Sequence, residues 1–192
     1  MPMQRLHATW LIATPTDGSG DLERDLRNGA STGATLFTQV TDGPGALALG
    51  SAPNTALDSL GEDRRHAEFA LRSADPRDAD PALDGSPALL AVRLYVPEAG
   101  RDEVRRWLDE EHSAFQLRVR GARWYLGYEE VGNDHSFLNL WGLDDPSVID
   151  SPAWAEARDT PWRSSLLKHF ERQDRAVYRP VGPIADNREV AQ

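Results

Sequence analysis

The chain has 192 residues, 40% of them hydrophobic, with a formal net charge of −10 and a pI near 4.9; this is enough material for one large domain or two small ones with a real core. The acidic balance argues against a nucleic-acid partner, which needs a basic surface, and against adhesion to anionic membranes. With no cysteine there are no disulfides or thiolate metal sites, no apolar run approaches the roughly 18 residues of a membrane span, and MPMQRLHATW has no apolar core or small-residue cleavage site, so a cytoplasmic protein is the expectation.

Leu6 to Thr14 is rich in apolar and β-branched residues and reads as a strand. Asp17-Gly18 marks a turn, and Asp21 to Asn28 fits a short helix closed by Gly29. Gly33 to Val40 and Ala46 to Gly50 are apolar runs joined by Thr41-Asp42-Gly43-Pro44-Gly45, a hairpin signal. A short helix follows through Leu57 and Leu60, capped at Asn54 or Thr55, and Ala67, Phe69 and Leu71 alternate with Glu68, Ala70 and Arg72 as a further strand. Ser73 to Pro87 is rich in Asp, Pro and Ala without a period and reads as a linker.

Leu89 to Val96 is a strand, and the helix after it, Arg101 to Arg118, is the most informative stretch. At 100° per residue Val104, Trp107, Leu108 and Phe115 share an apolar face; Glu111 falls near the middle of that face, His112 at its edge, and Asp109 and Glu110 point away. A carboxylate and an imidazole on a buried face break the binary pattern, and such breaks mark candidate sites. Beyond Gly121, Ala122 to Glu130 and Ser136 to Trp141 form a strand pair around Gly132-Asn133-Asp134. Asp145-Pro146, Ser151-Pro152 and Thr160-Pro161 each open a short helical segment, the last with Thr as N-cap and Pro at the first helical position. Ala176 to Val181 is a closing strand, and residues 183–192 read as a solvated tail.

Both halves thus run β-α-β-β-α-β, and Glu62-Asp63-Arg64 before Ala67-Glu68-Phe69 matches Gln173-Asp174-Arg175 before Ala176-Val177-Tyr178. The reading is α+β: two ferredoxin-like repeats, residues 1–72 degenerate and 88–182 carrying the site, joined by 73–87, with antiparallel sheets packed into an α+β barrel. Both faces of Leu89–Val96 and Ser136–Trp141 are apolar, so each needs cover on two sides. Trp107-Leu108-Asp109-Glu110-Glu111-His112, the Gly121 strand start, Tyr128-Glu129, Ser151-Pro152-Ala153-Trp154, Thr160-Pro161-Trp162 and a closing Arg-x-x-Tyr-Arg strand occur in one order over roughly residues 88–182. This ordered set resembles the EthD-like branch of the dimeric α+β barrel superfamily. The resemblance implies a hydrophobic cavity between sheet and helices. It also implies relatives that include cofactor-free oxygenases and cyclases of polyketide pathways, isomerases and members without assigned activity.

The expected function is proton transfer on a small hydrophobic, aromatic or polyketide-like molecule, by cyclisation, isomerisation or oxygenation, without a cofactor. Glu111 and His112 are the catalytic candidates, a desolvated carboxyl and an imidazole poised to relay a proton; a structural Glu111 would instead pair with Arg93 or Arg118. Trp107, Phe115, Arg93, Trp124, Asn139, Trp141 and Trp154 are the candidates for binding substrate. Trp124 and its neighbour Tyr125 face opposite sides of their strand, so only one of them can line a given cavity. A metal is not expected, since no E-x-x-H or H-x-x-x-H spacing is present. The alternatives are a ligand-binding module without catalysis and a purely structural barrel. Fusion of two repeats reduces the need for a homodimer without forbidding one.

Overall fold

In each half, strands with two apolar faces have to be covered twice, and the chain does this by closing on itself. The computed structural model describes residues 5–12, 34–40, 45–51, 64–75, 85–132 and 135–181. Eight strands are β1 (Arg5–Ile12), β2 (Ala34–Gln39), β3 (Gly45–Gly50), β4 (Arg64–Asp75), β5 (Ala88–Tyr95), β6 (Ala122–Glu130), β7 (Ser136–Leu143) and β8 (Arg172–Pro180). They form a closed antiparallel barrel in the order β1-β3-β2-β8-β5-β7-β6-β4, sealed by β4 against β1. Read from β4, the first half runs fourth-first-third-second strand, and from β8 the second half does the same. Each half is a ferredoxin-like sheet, and β2–β8 and β4–β6 are the two seams between them.

The helices predicted over Asp21–Asn28 and around Leu57–Leu60, the Asp17-Gly18 and Asn133-Asp134 turns, the 41–44 turn and the tail lie outside the described residues. β4 runs to Asp75, three residues into the Asp/Pro-rich stretch read as a linker. Among the described residues no helix is long and apolar enough to cross a membrane.

Alternation along β5 splits the core in two. Leu89 and Ala91 join Leu6, Phe37, Leu49, Phe69 and Leu140 inside the barrel, while Leu90, Val92 and Leu94 face outward to Trp107, Leu108, Trp154 and Leu166 of the helical layer. That layer comprises α1 (Glu98–Trp107), a π-helical turn over Leu108–His112, the single turn α2 (Ser113–Gln116), α3 (Pro152–Arg158) and α4 (Pro161–Leu166). The three X-Pro signals work alike. Asp145, Ser151 and Thr160 sit at N-cap positions in extended backbone, each side chain accepts a backbone N–H of the turn it caps, and proline stands within the first two helical positions.

Two residues expected to bind substrate lie on the barrel side of the sheet, away from the helical layer, since alternation alone does not say which face of β5 or β6 meets the helices. Trp124 is buried in the barrel and donates its indole N–H to Ser86 Oγ at 2.9 Å. Its ring lies where a side chain on Gly142 would have to go. Arg93 also points inward: its Nη2 is 2.7 Å from Glu130 Oε2, its Nε donates to Ser136 Oγ at 2.9 Å, and its guanidinium stacks over Tyr95 at 4.6 Å and Trp10 at 5.2 Å. Arg93 thus pairs with Glu130, not with Glu111. Breaking a buried ion pair on one side strands the other charge. Arg93→Met should therefore lower stability by about 3–5 kcal/mol, and adding Glu130→Met should recover most of that loss, as read from denaturant midpoints of the two variants.

Candidate functional site

The site is built by the π-helical turn. A straight α-helix would set Glu111 on the apolar face, but a π turn holds one extra residue, so the position passes on by one. His112, Ser113 and Gln116 are buried, and Glu111 is left half-buried at the side. Glu111 Oε1 accepts the Thr160 hydroxyl at 2.5 Å and the Trp107 indole N–H at 3.2 Å. Thr160 in turn caps α4 by accepting the Arg163 N–H at 3.1 Å. Glu111 therefore ties the long helix to the start of α4, and no hydrogen bond joins it to His112. Arg118 does not reach it either; its guanidinium lies 5.1 Å from the Phe115 ring, and this pair stays outside the cleft.

His112 lies between two indoles, 4.2 Å from the Trp107 centroid and edge-on to Trp141 at 5.5 Å. It faces a cleft of about 70 Å³ between the helices and the outer side of the second-half sheet. Five of the sequence candidates meet there: Trp107, His112, Asn139, Trp141 and Trp154. Gln116, Phe170, Arg158, Arg163 and Arg175 line it as well, beside Leu90, Val92, Leu94 and Gln173; none of these arginines was a site candidate from sequence. A second cavity of about 370 Å³ lies on the barrel side of β5 and β8, among Trp10, Arg65, Ala91, Arg93, Leu138 and Tyr178.

The floor of the cleft is oriented from the other half of the chain. A β-bulge between Leu71 and Ser73 of β4 sends Arg72 across the seam. Its passage depends on Gly127, where a Cβ would strike the Arg72 and Tyr125 tips. Arg72 Nη2 donates to the Tyr125 hydroxyl at 2.7 Å, and Tyr125 donates to Asn139 Oδ1 at 2.7 Å; Arg72 also forms an ion pair with Asp109. An arginine can only donate, so the phenol must pass its own proton onward, and this fixes the Asn139 amide with its NH₂ turned away from Tyr125. Burial pushes the Tyr125 phenol up, against the Arg72 charge, which keeps it a donor. Asn139 is 1% exposed, and its Nδ2 has no partner among the described residues; the same is true of Trp141 Nε1 and Gln116 Oε1. Such buried groups call for an explanation, and a ligand's polar atoms are one. No cluster of three metal-ligating side chains occurs among the described residues.

Burial drives the His112 pKa down to about 3, and the charges of Arg163, Arg72 and Arg158 push the same way. The imidazole is therefore neutral across the physiological range.

No family model and no curated protein matches the chain. Among solved structures, an anthrone oxidase-like protein superposes with a TM-score of 0.68 over 93% of this chain and 92% of its own, at 16% identity. A ferredoxin-fold protein of Listeria monocytogenes, related to antibiotic biosynthesis monooxygenases, gives 0.56 over 92% and 95% at 13% identity. A monooxygenase-like protein of Listeria innocua gives 0.53 over 93% and 95%, also at 13%. The chain shares their ferredoxin-like barrel fold. At these identities the likeness is one of architecture, and fold does not fix function.

The neutral imidazole has a thermodynamic signature. Unfolded, His112 takes a proton near pH 6.5; folded, it refuses one until about pH 3. Between those values the unfolded state binds more protons, so stability falls as pH falls, by about 1.4 kcal/mol per unit. Between pH 6 and pH 5, chemical denaturation should show the wild type losing about 1 kcal/mol more stability than His112→Asn.

Proposed function

We propose that the cleft binds a small aromatic molecule and that His112, on its own a weak base, takes a proton from a carbon next to its carbonyl group as the negative charge developing on the carbonyl oxygen offsets the nearby arginines. The observation that carries this reading is a buried neutral imidazole beside two unpartnered buried donors, Asn139 Nδ2 and Trp141 Nε1. The C–H bond breaks as the imidazole gains the proton, and the electron pair moves onto the carbonyl oxygen. That enolate oxygen accepts from Asn139 and Trp141, and donors set in place before the reaction are the usual means of stabilising it. Return of the proton to a different carbon gives isomerisation. Attack of the enolate carbon on an internal carbonyl gives cyclisation, and reaction with dioxygen gives oxygenation. None of these steps calls for a further cofactor. Glu111 acts as a positioning residue, holding Trp107 against the His112 ring and α4 against the long helix.

The order of the W-x-x-x-E-H helix, strand pair, Ser-Pro-Ala-Trp and Thr-Pro-Trp segments supports placement near the EthD-like branch. The names of the anthrone oxidase-like and monooxygenase-like neighbours agree with chemistry on activated carbon acids. The repeated strand order supports descent from a duplicated half. A second reading, a carrier without catalysis, draws on Glu111 being committed to Trp107 and Thr160 rather than to His112.

Hydrogen–deuterium exchange at the benzylic CH₂ of phenylacetone, followed by NMR in D₂O, tests the proton step directly. The wild type should accelerate exchange over buffer, and His112→Gln should lose about 10²-fold, the usual worth of a general base. Glu111→Gln should cost less. Exchange that is undiminished in His112→Gln overturns the assignment. Binding without exchange selects the carrier reading.

A further inference from the structure

We infer that the natural ligand of the cleft is an anion, an apolar ring bearing a carboxylate. Arg158, Arg163 and Arg175 hold the charge, and Asn139 and Trp141 meet a second oxygen. This rests on the reading of the cleft as the ligand site and adds the ligand's charge to it.

Three separate elements bring guanidinium groups to one small cleft. Arg158 ends α3, Arg163 lies in the first turns of α4, and Arg175 is on β8, in step with Val177 on the helix-facing side. Their compensation is thin. Asp159 serves two of them, at 2.8 Å from Arg158 and 3.2 Å from Arg163. Among the described residues Arg175 makes no hydrogen bond or ion pair; only the field of Asp150 favours its charge, while Arg158 and Arg163 oppose it. Burial holds Arg163 and Arg175 below the ordinary arginine range; Arg158 pushes both the same way, while Asp159 opposes the shift at Arg163 and Asp150 at Arg175. The chain has 31 acidic residues against 21 basic ones, so acids to neutralise a purely structural cluster were plentiful. Two half-buried cations and a third at the exposed rim, all lining one cleft, instead suit a partner that arrives with the ligand, and arginine's planar fork matches a carboxylate in particular.

The polar atoms deeper in the cleft tell the same story. Asn139 Nδ2 and Trp141 Nε1 are donors, against a single unpartnered acceptor, Gln116 Oε1. A ligand that answers this set must be rich in oxygen acceptors. Trp107, Trp141, Trp154, Leu90, Val92 and Phe170 also line the cleft, walls for a flat apolar ring.

Benzoate and benzamide, alike in size and different in charge, are the probes. Their affinities for the full-length chain can be read by ¹H–¹⁵N NMR from the indole N–H signals of Trp107 and Trp141. Benzoate should bind at least about tenfold tighter than benzamide, the scale of one charge-assisted hydrogen bond. Arg175→Gln and Arg163→Gln should each remove about tenfold of benzoate affinity and leave benzamide within twofold, whereas Arg118→Gln, outside the cleft, should change neither. Equal binding of the two probes, or arginine variants that bind benzoate normally, overturns the anion assignment while leaving the cleft as a ligand site. Indole signals that respond to neither probe overturn both.

Discussion

Everything in this molecule follows from strands that are apolar on both sides. β5 and β7 cannot leave either face to water, so one face must close into a barrel and the other must carry helices. The first demand aligns the two ferredoxin-like halves edge to edge, with no free strand left at the seams. The second places the π-helical turn, α3 and α4 against the outer face of the second half, and the cleft lies between them and β5, β7 and β8.

The barrel closure also explains how a residue of the first half comes to govern chemistry in the second. The β4–β6 seam brings a bulge next to a glycine, and through that opening Arg72 sets the Tyr125–Asn139 chain. The charges of Arg72, Arg158 and Arg163, added to burial, keep His112 unprotonated. Orientation of the amide and neutrality of the imidazole are thus set by one cluster of cations held at the edges of an apolar space.

The strands were legible from alternation and turn signals, and the X-Pro caps from residue type alone, because these are local effects. Asn139 and Trp141, two apart on one strand, were bound to share a face. Other features depend on information that is not local. Nothing in Leu108-Asp109-Glu110-Glu111-His112 announces a π turn, so a regular 100° spacing assigned Glu111 the place that His112 holds. Arg93 and Trp124 sit on strands whose two faces are equally greasy, and parity cannot tell barrel interior from helical layer in such a strand. Arg158, Arg163 and Arg175 lie on three separate elements, and only the fold turns them toward one cleft. Arg72 ends an ordinary alternating strand, and its role arises from a bulge and from the missing Cβ of Gly127 across the seam.

The reach of Arg72 across the seam bears on why a single chain is used. In a symmetric pair of half-length chains, one codon would specify this position in both clefts, and any change would be felt twice. Covalent linkage removes that constraint: the arginine can be tuned for the one pocket it enters. The same contact means that the orientation of the Asn139 amide in the second half depends on a side chain supplied by the first.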